Sequence, residues 1–582
     1  MKKIQPNYYV SIPKPESHYF NVKYTFELNS DGQQFLHMPV WTPGSYKVRE
    51  FSRHISNLTG KIDKQVLPIN RINKSSWEFI GNNRNKIEIS YQVYAKDMTV
   101  RTSYLDSHQA MINGASVFIY SEKHKNAGIT LTIDYPKKWK NLITSLPFDN
   151  KRSSYIANDF DHLIDAPILI GNPEYHSFTH KNKPHHFAII GKGNYDLNKI
   201  KNDTKKILSS FHNIFAEFPY QSYTFITHLY DKMYGGLEHR DSCHIIFSRW
   251  KFHQRKEYIK FISLVAHEYF HTFNIKRIRP KELGPFNYLN ENYTNMLWLA
   301  EGMTSYYDEY ILRRSEVISV KEYFELLDLN FCRYFSIPGR NEMSTKDSSF
   351  LAWIKLYIPD ENLLNTTVSY YLSGGLIALV LDLKIREITS GKKCLDDVYR
   401  ELWKKFKTDG KGITEKEFFS YCESVAGDSL DSILSYLNNP IDIDFASAFM
   451  PFGLEFKPSY KNSKTKDSAW FGIGFNPKDK LTLNSIRSDG PAGNSELAPG
   501  DEIIGINSER MTIENKDNLM KTLPIGKPVK MLINRMGDIM EVDVTPRSQP
   551  YDKYELTKVK NPTPSQHMLY ESWLNEKWAN EE

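Results

Sequence analysis

The sequence predicts a multidomain α+β protein: an N-terminal antiparallel β-domain, a helix-rich central domain and a β-rich C-terminal domain. Three observations carry this. The 582 residues are too many for one hydrophobic core, since domains of roughly 100–200 residues divide such a chain into three or four units. Apolar and polar residues alternate over residues 1–170 and from about 195 recur at helical spacing, a change of period that marks a change of domain. After 455 the strand-like pattern returns, over 456–548, followed by a polar tail, 549–582, expected to pack as an appendage.

The elements follow from these periods. Tyr19–Leu28 and Lys86–Tyr94 alternate strictly and are separated by turns such as Ser30-Asp-Gly32 and Asn82-Asn83, the pattern of antiparallel strands. In the middle of the chain, 203–218, 256–276, 297–313, 370–389 and 395–406 read as helices, with strands only near 223–229 and 242–247. Gly490-Pro-Ala-Gly and Leu497-Ala-Pro-Gly-Asp-Glu-Ile-Ile504 read as a turn, a short helix, a tight turn and an apolar strand. Phe471-Gly-Ile-Gly-Phe475 resembles a peptide-carboxylate loop, but Leu481 follows too soon for a loop plus a strand, so the segment itself reads as a strand. Thr408–Glu417 looks calcium-like but lacks most of the oxygen ligands and the central glycine, so it reads as a helix end.

Composition excludes several classes. Seventy-five Lys+Arg against 69 Asp+Glu leave a net charge of only +6, with no basic cluster of the kind nucleic-acid binding needs. The densest basic stretch, His180–His186, reads as a solvated loop. Cys243, Cys332, Cys394 and Cys422 form no CxxC pair, which suits a reducing compartment and neither a disulfide framework nor a cysteine zinc site. Met1–Val10 has two lysines and no apolar stretch behind them, and the run Leu376–Leu381 ends at Asp382. Neither is a secretory signal or a bilayer span. The expectation is a cytoplasmic protein with no membrane or nucleic-acid partner, its oligomeric state open.

His267-Glu-Tyr-Phe-His271 lies in an apolar stretch, 258–275. On a helix, residues four apart share a face, so both imidazoles can reach one ion, while Glu268, one step round, can meet a water on it without being a ligand. A hydrolytic zinc site takes three protein ligands and leaves one position open. Glu301, in Leu297-Trp-Leu-Ala-Glu301-Gly-Met, is a carboxylate in an apolar helix start, where it is costly unless paired; coordination resolves that cost. Asp308, on the same face, reads equally as a hydrogen-bond acceptor orienting a ligand histidine or as a surface charge.

His-Glu-x-x-His followed by a glutamate in a Glu-Gly helix is the gluzincin pattern, shared by thermolysin-like enzymes and zinc aminopeptidases. The sequence resembles most the glycyl aminopeptidase family, metallopeptidase family sixty-one. The likeness lies at Trp41-Thr-Pro-Gly-Ser-Tyr46, Gly235-Gly-Leu-Glu-His239, 267–280, 298–307, Tyr371-Leu-Ser-Gly374 and the C-terminal unit, which looks like a PDZ domain. The resemblance covers almost all of the chain to about 548. It implies a thermolysin-like catalytic domain over 171–455, a PDZ-like domain over 456–548, one zinc ion per chain, and removal of N-terminal residues, preferably glycine or alanine, from peptides with a free amino terminus. It also implies that Glu238 holds the substrate α-ammonium and that Tyr371 bonds the oxyanion, with adjacent Tyr370 as a rival. Gly235 and Gly236 would let a substrate backbone approach the strand edge. Ser373 stands where related aminopeptidases often have lysine. A zinc endopeptidase and a non-catalytic PDZ-containing binding protein are the alternatives.

Overall fold

The computed structural model describes residues 5–462 and 466–579. The chain divides into two compact units, Met1–Thr294 with Arg400–Thr414, and Asn295–Tyr399 with Glu415–Glu582. Among the described residues no helix is long and apolar enough to cross a membrane.

The N-terminal part of the first unit is built on an eight-stranded sheet in which Asn7–Ser11, Tyr19–Glu27 and Lys86–Tyr94 are successive neighbours. Alternation places Phe20, Val22, Tyr24 and Phe26 in the core, because successive strand residues face opposite sides. Tyr8 stacks on Tyr24 with ring centroids 4.4 Å apart. The sheet departs from the antiparallel expectation at one pairing, since Asn7–Ser11 runs parallel to Ile129–Asp134. A parallel pair needs a long connection, which the intervening strands supply.

A five-stranded sheet follows, in the order Glu174–His180, Lys183–Ile190, Tyr223–Tyr230, Ser242–Ser248, Gly235–Glu238. Its three inner strands are parallel and both outer pairings antiparallel. Two of these strands, Glu174–His180 and Lys183–Ile190, were not expected, and they correct the reading of 180–186 as a solvated loop. His180 and Lys183 are register partners of a hairpin. His185 is buried, with Nε2 2.8 Å from the Tyr220 hydroxyl, and burial lowers its pKa to about 4. Polar composition concealed the inward half of an alternating strand.

Helices Leu197–Phe215 and Arg255–Phe270 pack together through stacked Phe211 and Phe270, centroids 5.3 Å apart. The second helix stops at Phe270, not at Lys276 as its apolar pattern suggests. Beyond it Asn274 bridges Ile278, Ile275 takes φ +86°, and Phe273 stacks on Phe215 at 3.8 Å. The apolar residues after His271 therefore serve a turn that packs on the neighbouring helix.

The second unit contains a π-helical turn, Trp298–Gly302, leading into Met303–Arg314, then helices Val320–Phe335 and Leu372–Ile388. The last is almost wholly buried, and Asp382 within it is held by Arg386 Nε at 2.9 Å, the Tyr306 hydroxyl at 2.6 Å and the Leu395 amide at 2.7 Å, as a buried charge requires. Gly410, at φ +62°, returns its N–H to the Phe406 carbonyl and ends the helix Leu395–Asp409. The calcium-like segment is a helix terminus.

Strands Leu454–Ser459 and Lys553–Lys558 pair antiparallel. Between them the chain forms a small β-domain whose four-stranded sheet runs Glu509–Arg510, Glu502–Ile506, Val529–Arg535, Asp538–Val544. Its own core includes Phe471, Ile503, Ile506, Val529 and Met531. The segment Ile473–Phe475 is a strand. The 549–579 part of the expected tail is not an appendage. Besides the paired strand it supplies helix Pro564–Leu574, whose Trp573 is fully buried. The Trp573 carbonyl accepts from the Tyr310 hydroxyl at 2.9 Å and the Leu574 carbonyl from Arg313 Nε at 3.0 Å. One buried tryptophan outweighs a polar average.

Candidate active site

In the first unit the Arg255–Phe270 helix carries His267 in its last turn and His271 at its C-cap, one turn apart. Their rings meet at 84° with centroids 4.8 Å apart. His271 is 1% exposed and its Nδ1 lies 3.1 Å from the Asn274 carbonyl. A carbonyl only accepts, so Nδ1 carries the proton and Nε2 keeps a lone pair free for a metal. The turn that ended the helix early is thus what orients the second histidine. Two imidazoles at this spacing, one tautomer fixed by a backbone carbonyl, fit a zinc-type donor set.

Glu268, buried in the same helix turn, lies against the edge strand Gly235–Glu238. A Cβ on Gly236 would fall 1.8 Å from Glu268 Oε1, whereas one on Gly235 would meet nothing closer than Val100 at 3.8 Å. The two glycines are therefore not equivalent: Gly236 makes room for the Glu268 carboxylate. Glu238 ends this strand, 4% exposed. Glu238, Glu268 and His271 each bring one donor atom within 4.8 Å of the others.

Sequence reasoning missed the surroundings of Glu238. Lys276 Nζ is 2.8 Å from Asp165 and 3.9 Å from Glu238, and His239 Nδ1 is 3.5 Å from Asp165. Burial pushes the Asp165 carboxyl up, but Lys276 and His239 outweigh it and hold the group well below the usual carboxylate range. Burial likewise disfavours the Lys276 charge, and Asp165 and Glu238 reverse that, raising its pKa. Gly44, at φ +86°, closes over Glu238, since a Cβ there would be 2.6 Å from both carboxylate oxygens. That explains the glycine in Trp41-Thr-Pro-Gly-Ser-Tyr46. The loop, Glu238 and Lys276 line a cavity of about 450 Å³. The Trp41–Tyr46 motif left a trace in the sequence, and His239 and Lys276 fall in matched stretches without a role of their own; Asp165 and Lys276 are common residue types whose meaning lies in their proximity.

The remaining two candidates lie in the second unit. Glu301 is 3% exposed in the π-helical turn. A Cβ on Gly302 would be 2.6 Å from Gly374 Cα and 2.9 Å from the Tyr370 carbonyl, so backbone meets backbone and the Glu301 turn is pressed against the start of helix Leu372–Ile388. Tyr370 and Tyr371 precede that helix with rings stacked at 4.8 Å. Both hydroxyls converge on Tyr357, at 3.3 and 3.2 Å, a third phenol that no motif signalled. Tyr370 is fully buried, and burial with Tyr357, Tyr371 and Glu301 nearby raises its pKa well above the usual phenol value. Tyr371 is only half-buried, which makes it the more accessible phenol. Ser373 accepts from Thr345 at 2.8 Å and donates to the Ser369 carbonyl at 3.0 Å, a structural role.

Comparison with known proteins gives two family-model matches: the peptidase M61 N-terminal domain over residues 7–172 and the M61 glycyl aminopeptidase over 260–377. The crystal structure of an aminopeptidase N family protein from Idiomarina loihiensis is 31% identical, covering 98% of this chain and 100% of that one, with a TM-score of 0.90. More distantly, Legionella pneumophila aminopeptidase A is 15% identical, with 75% and 49% covered and a TM-score of 0.49. The M1 zinc metallopeptidase of Deinococcus radiodurans is 10% identical, with 76% and 95% covered and a TM-score of 0.47. No curated protein matches the chain.

Proposed function

The chain belongs to the M61 glycyl aminopeptidase family, and from that premise we propose that it is a zinc-dependent aminopeptidase that removes small N-terminal residues, glycine or alanine, from peptides. The observation that carries this reading is the meeting of Glu238, Glu268 and His271 within 4.8 Å. An anchor for a free amino terminus lies beside the proton-transfer group, so the bond that reaches the centre is the first one.

His267, His271 and Glu301 would hold the zinc; a bound zinc supplies an acidified water and a polarised scissile carbonyl. The chain's own residues do the rest. Glu268 accepts a proton from the attacking water and returns it to the leaving amine nitrogen. The Tyr371 hydroxyl donates to the oxygen on which charge develops. Glu238 takes the α-ammonium in a charge-assisted hydrogen bond, with Gly236 keeping its strand close to Glu268. The C-terminal β-domain reads as PDZ-like, supported by the Pro491–Asn494 turn before strand Glu502–Ile506. Four free cysteines are consistent with a cytoplasmic setting.

A panel of aminoacyl chromogenic amides with free and acetylated amino termini, assayed with and without a chelator, tests the reading. Cleavage confined to free-amine substrates, strongest for glycyl and alanyl, abolished by chelation and restored by zinc, is the expected result. Equal cleavage of acetylated substrates would make the protein an endopeptidase.

A further inference from the structure

The cavity beside Glu238 is rich in charge, but its two signs are used differently. Its carboxylates are engaged within the protein. Asp159 accepts the His162 amide at 2.7 Å, Asp161 the Tyr288 hydroxyl at 2.7 Å, and Asp241 pairs with Arg277 at 2.9 Å. Asp165 pairs with Lys276 at 2.8 Å and accepts the Arg240 amide at 2.8 Å. Two guanidinium groups that line the same cavity, those of Arg240 and Arg279, make no hydrogen bond and no ion pair within 4 Å among the described residues.

The Arg240 side chain is exposed on an anchored backbone, and the Arg279 guanidinium is itself held in place. The Arg240 backbone is pinned at both ends, its amide on Asp165 and its carbonyl accepting from Arg277 at 3.0 Å. The Arg279 carbonyl accepts the Ile413 amide at 2.8 Å, and its guanidinium lies 5.8 Å over the Phe286 ring. A Cβ on Gly284 would be 2.4 Å from Arg279 Nη2, so the neighbouring backbone carries a glycine where the guanidinium rests. A guanidinium held in the cavity with its hydrogen bonds unspent, and a second one on an anchored backbone lining the same cavity, match a carboxylate, which accepts such donors in bidentate fashion.

We propose that this cavity is a carboxylate-binding subsite, in which Arg279 and Arg240 bind an anionic group of the substrate whose amino terminus Glu238 holds. The inference rests on the aminopeptidase reading and deepens it. The carboxylate has two possible sources. An aspartyl or glutamyl first residue brings its own side chain; a glycyl or alanyl one leaves the space to the C-terminal carboxylate of a short peptide.

Matched substrate pairs separate the two sources on the full-length zinc-loaded protein. Glutamyl against glutaminyl anilide varies only the side-chain carboxylate. Alanyl-alanine against its C-terminal amide varies only the terminal one. A carboxylate that accepts two charge-assisted bonds should favour its member by about tenfold or more in kcat/KM in one arm. That ratio should fall to about threefold or less in Arg279→Gln and in Arg240→Gln. Because the ratio is taken within one preparation, partial unfolding or zinc loss affects both members alike. Calorimetric binding of glutamate against glutamine, and of the dipeptide against its amide, gives the same comparison without turnover. Flat ratios in both arms, ratios that survive both substitutions, or a preference for lysyl anilide would overturn the subsite. If alanyl anilide is not cleaved at all, the aminopeptidase reading fails; if it is cleaved with flat ratios, only the subsite fails.

Discussion

Glu268→Gln and Glu301→Ala separate proton transfer from metal binding. Glutamine keeps the shape that Gly236 accommodates but cannot accept a proton, so turnover should drop by about 10²–10⁴ with zinc content unchanged. Glu301→Ala should lose zinc and activity together, and unchanged zinc stoichiometry there would remove Glu301 from the ligand set. Glu238→Ala should lower kcat/KM on free-amine amides by roughly 10- to 100-fold and barely alter the slow cleavage of N-acetylated ones. The fold should tolerate the change, because Lys276 keeps its 2.8 Å contact with Asp165. An equal fractional loss on both substrates would assign Glu238 to structure. At this scale the histidines and Glu268 were legible because a four-residue spacing is itself a geometric statement. Lys276, Asp165 and Tyr357 were not, because nothing local distinguishes them from other residues of their type.

Two glycine contacts join the elements, and they should respond differently to a methyl group. In Gly236→Ala the clash at 1.8 Å is with the far end of the flexible Glu268 side chain. The protein should fold and bind zinc while losing about 10²-fold or more in kcat, because a displaced base no longer meets its proton. Gly235→Ala, with no contact inside 3.8 Å, should cost far less. In Gly302→Ala the clash at 2.6 Å is with the Gly374 backbone, which cannot swing away. Overpacking there should destabilise by about 1–3 kcal/mol or more, read as a lowered urea midpoint; a stable, active variant would show that the two helices can separate without consequence. Element type was legible from periodicity, element ends less so. The Arg255–Phe270 helix stops where tertiary packing of Phe273 on Phe215 takes over an apolar pattern that would otherwise continue it.

For the molecule as a whole, the C-terminal β-domain lies between two strands that pair with each other, with Ser459 opposite Lys553. The two ends are therefore a strand spacing apart, about 5 Å, and a short Gly-Ser linker can replace 462–550. That deletion should fold, bind zinc and cleave short substrates, since every proposed catalytic residue lies outside it. Truncation after 455 should instead unfold much of the second unit, because it removes Trp573 and the carbonyls that receive Tyr310 and Arg313. Losing such a buried side chain alone costs about 3–5 kcal/mol. Thermal unfolding and zinc content of the two proteins decide the matter, and a stable, active truncation would refute this account. By itself the sequence determined the α+β class, the change of period between domains, the histidine pair with its glutamate, and the family. Each of these is a local pattern or a spacing along one element. Only the tertiary structure decided that Gly236 makes room for Glu268, that Gly44 closes over Glu238, that Asp165 and Lys276 stand behind it, and that the polar tail belongs to a core. Those relations join residues far apart in the chain, and close packing, not composition, selects them.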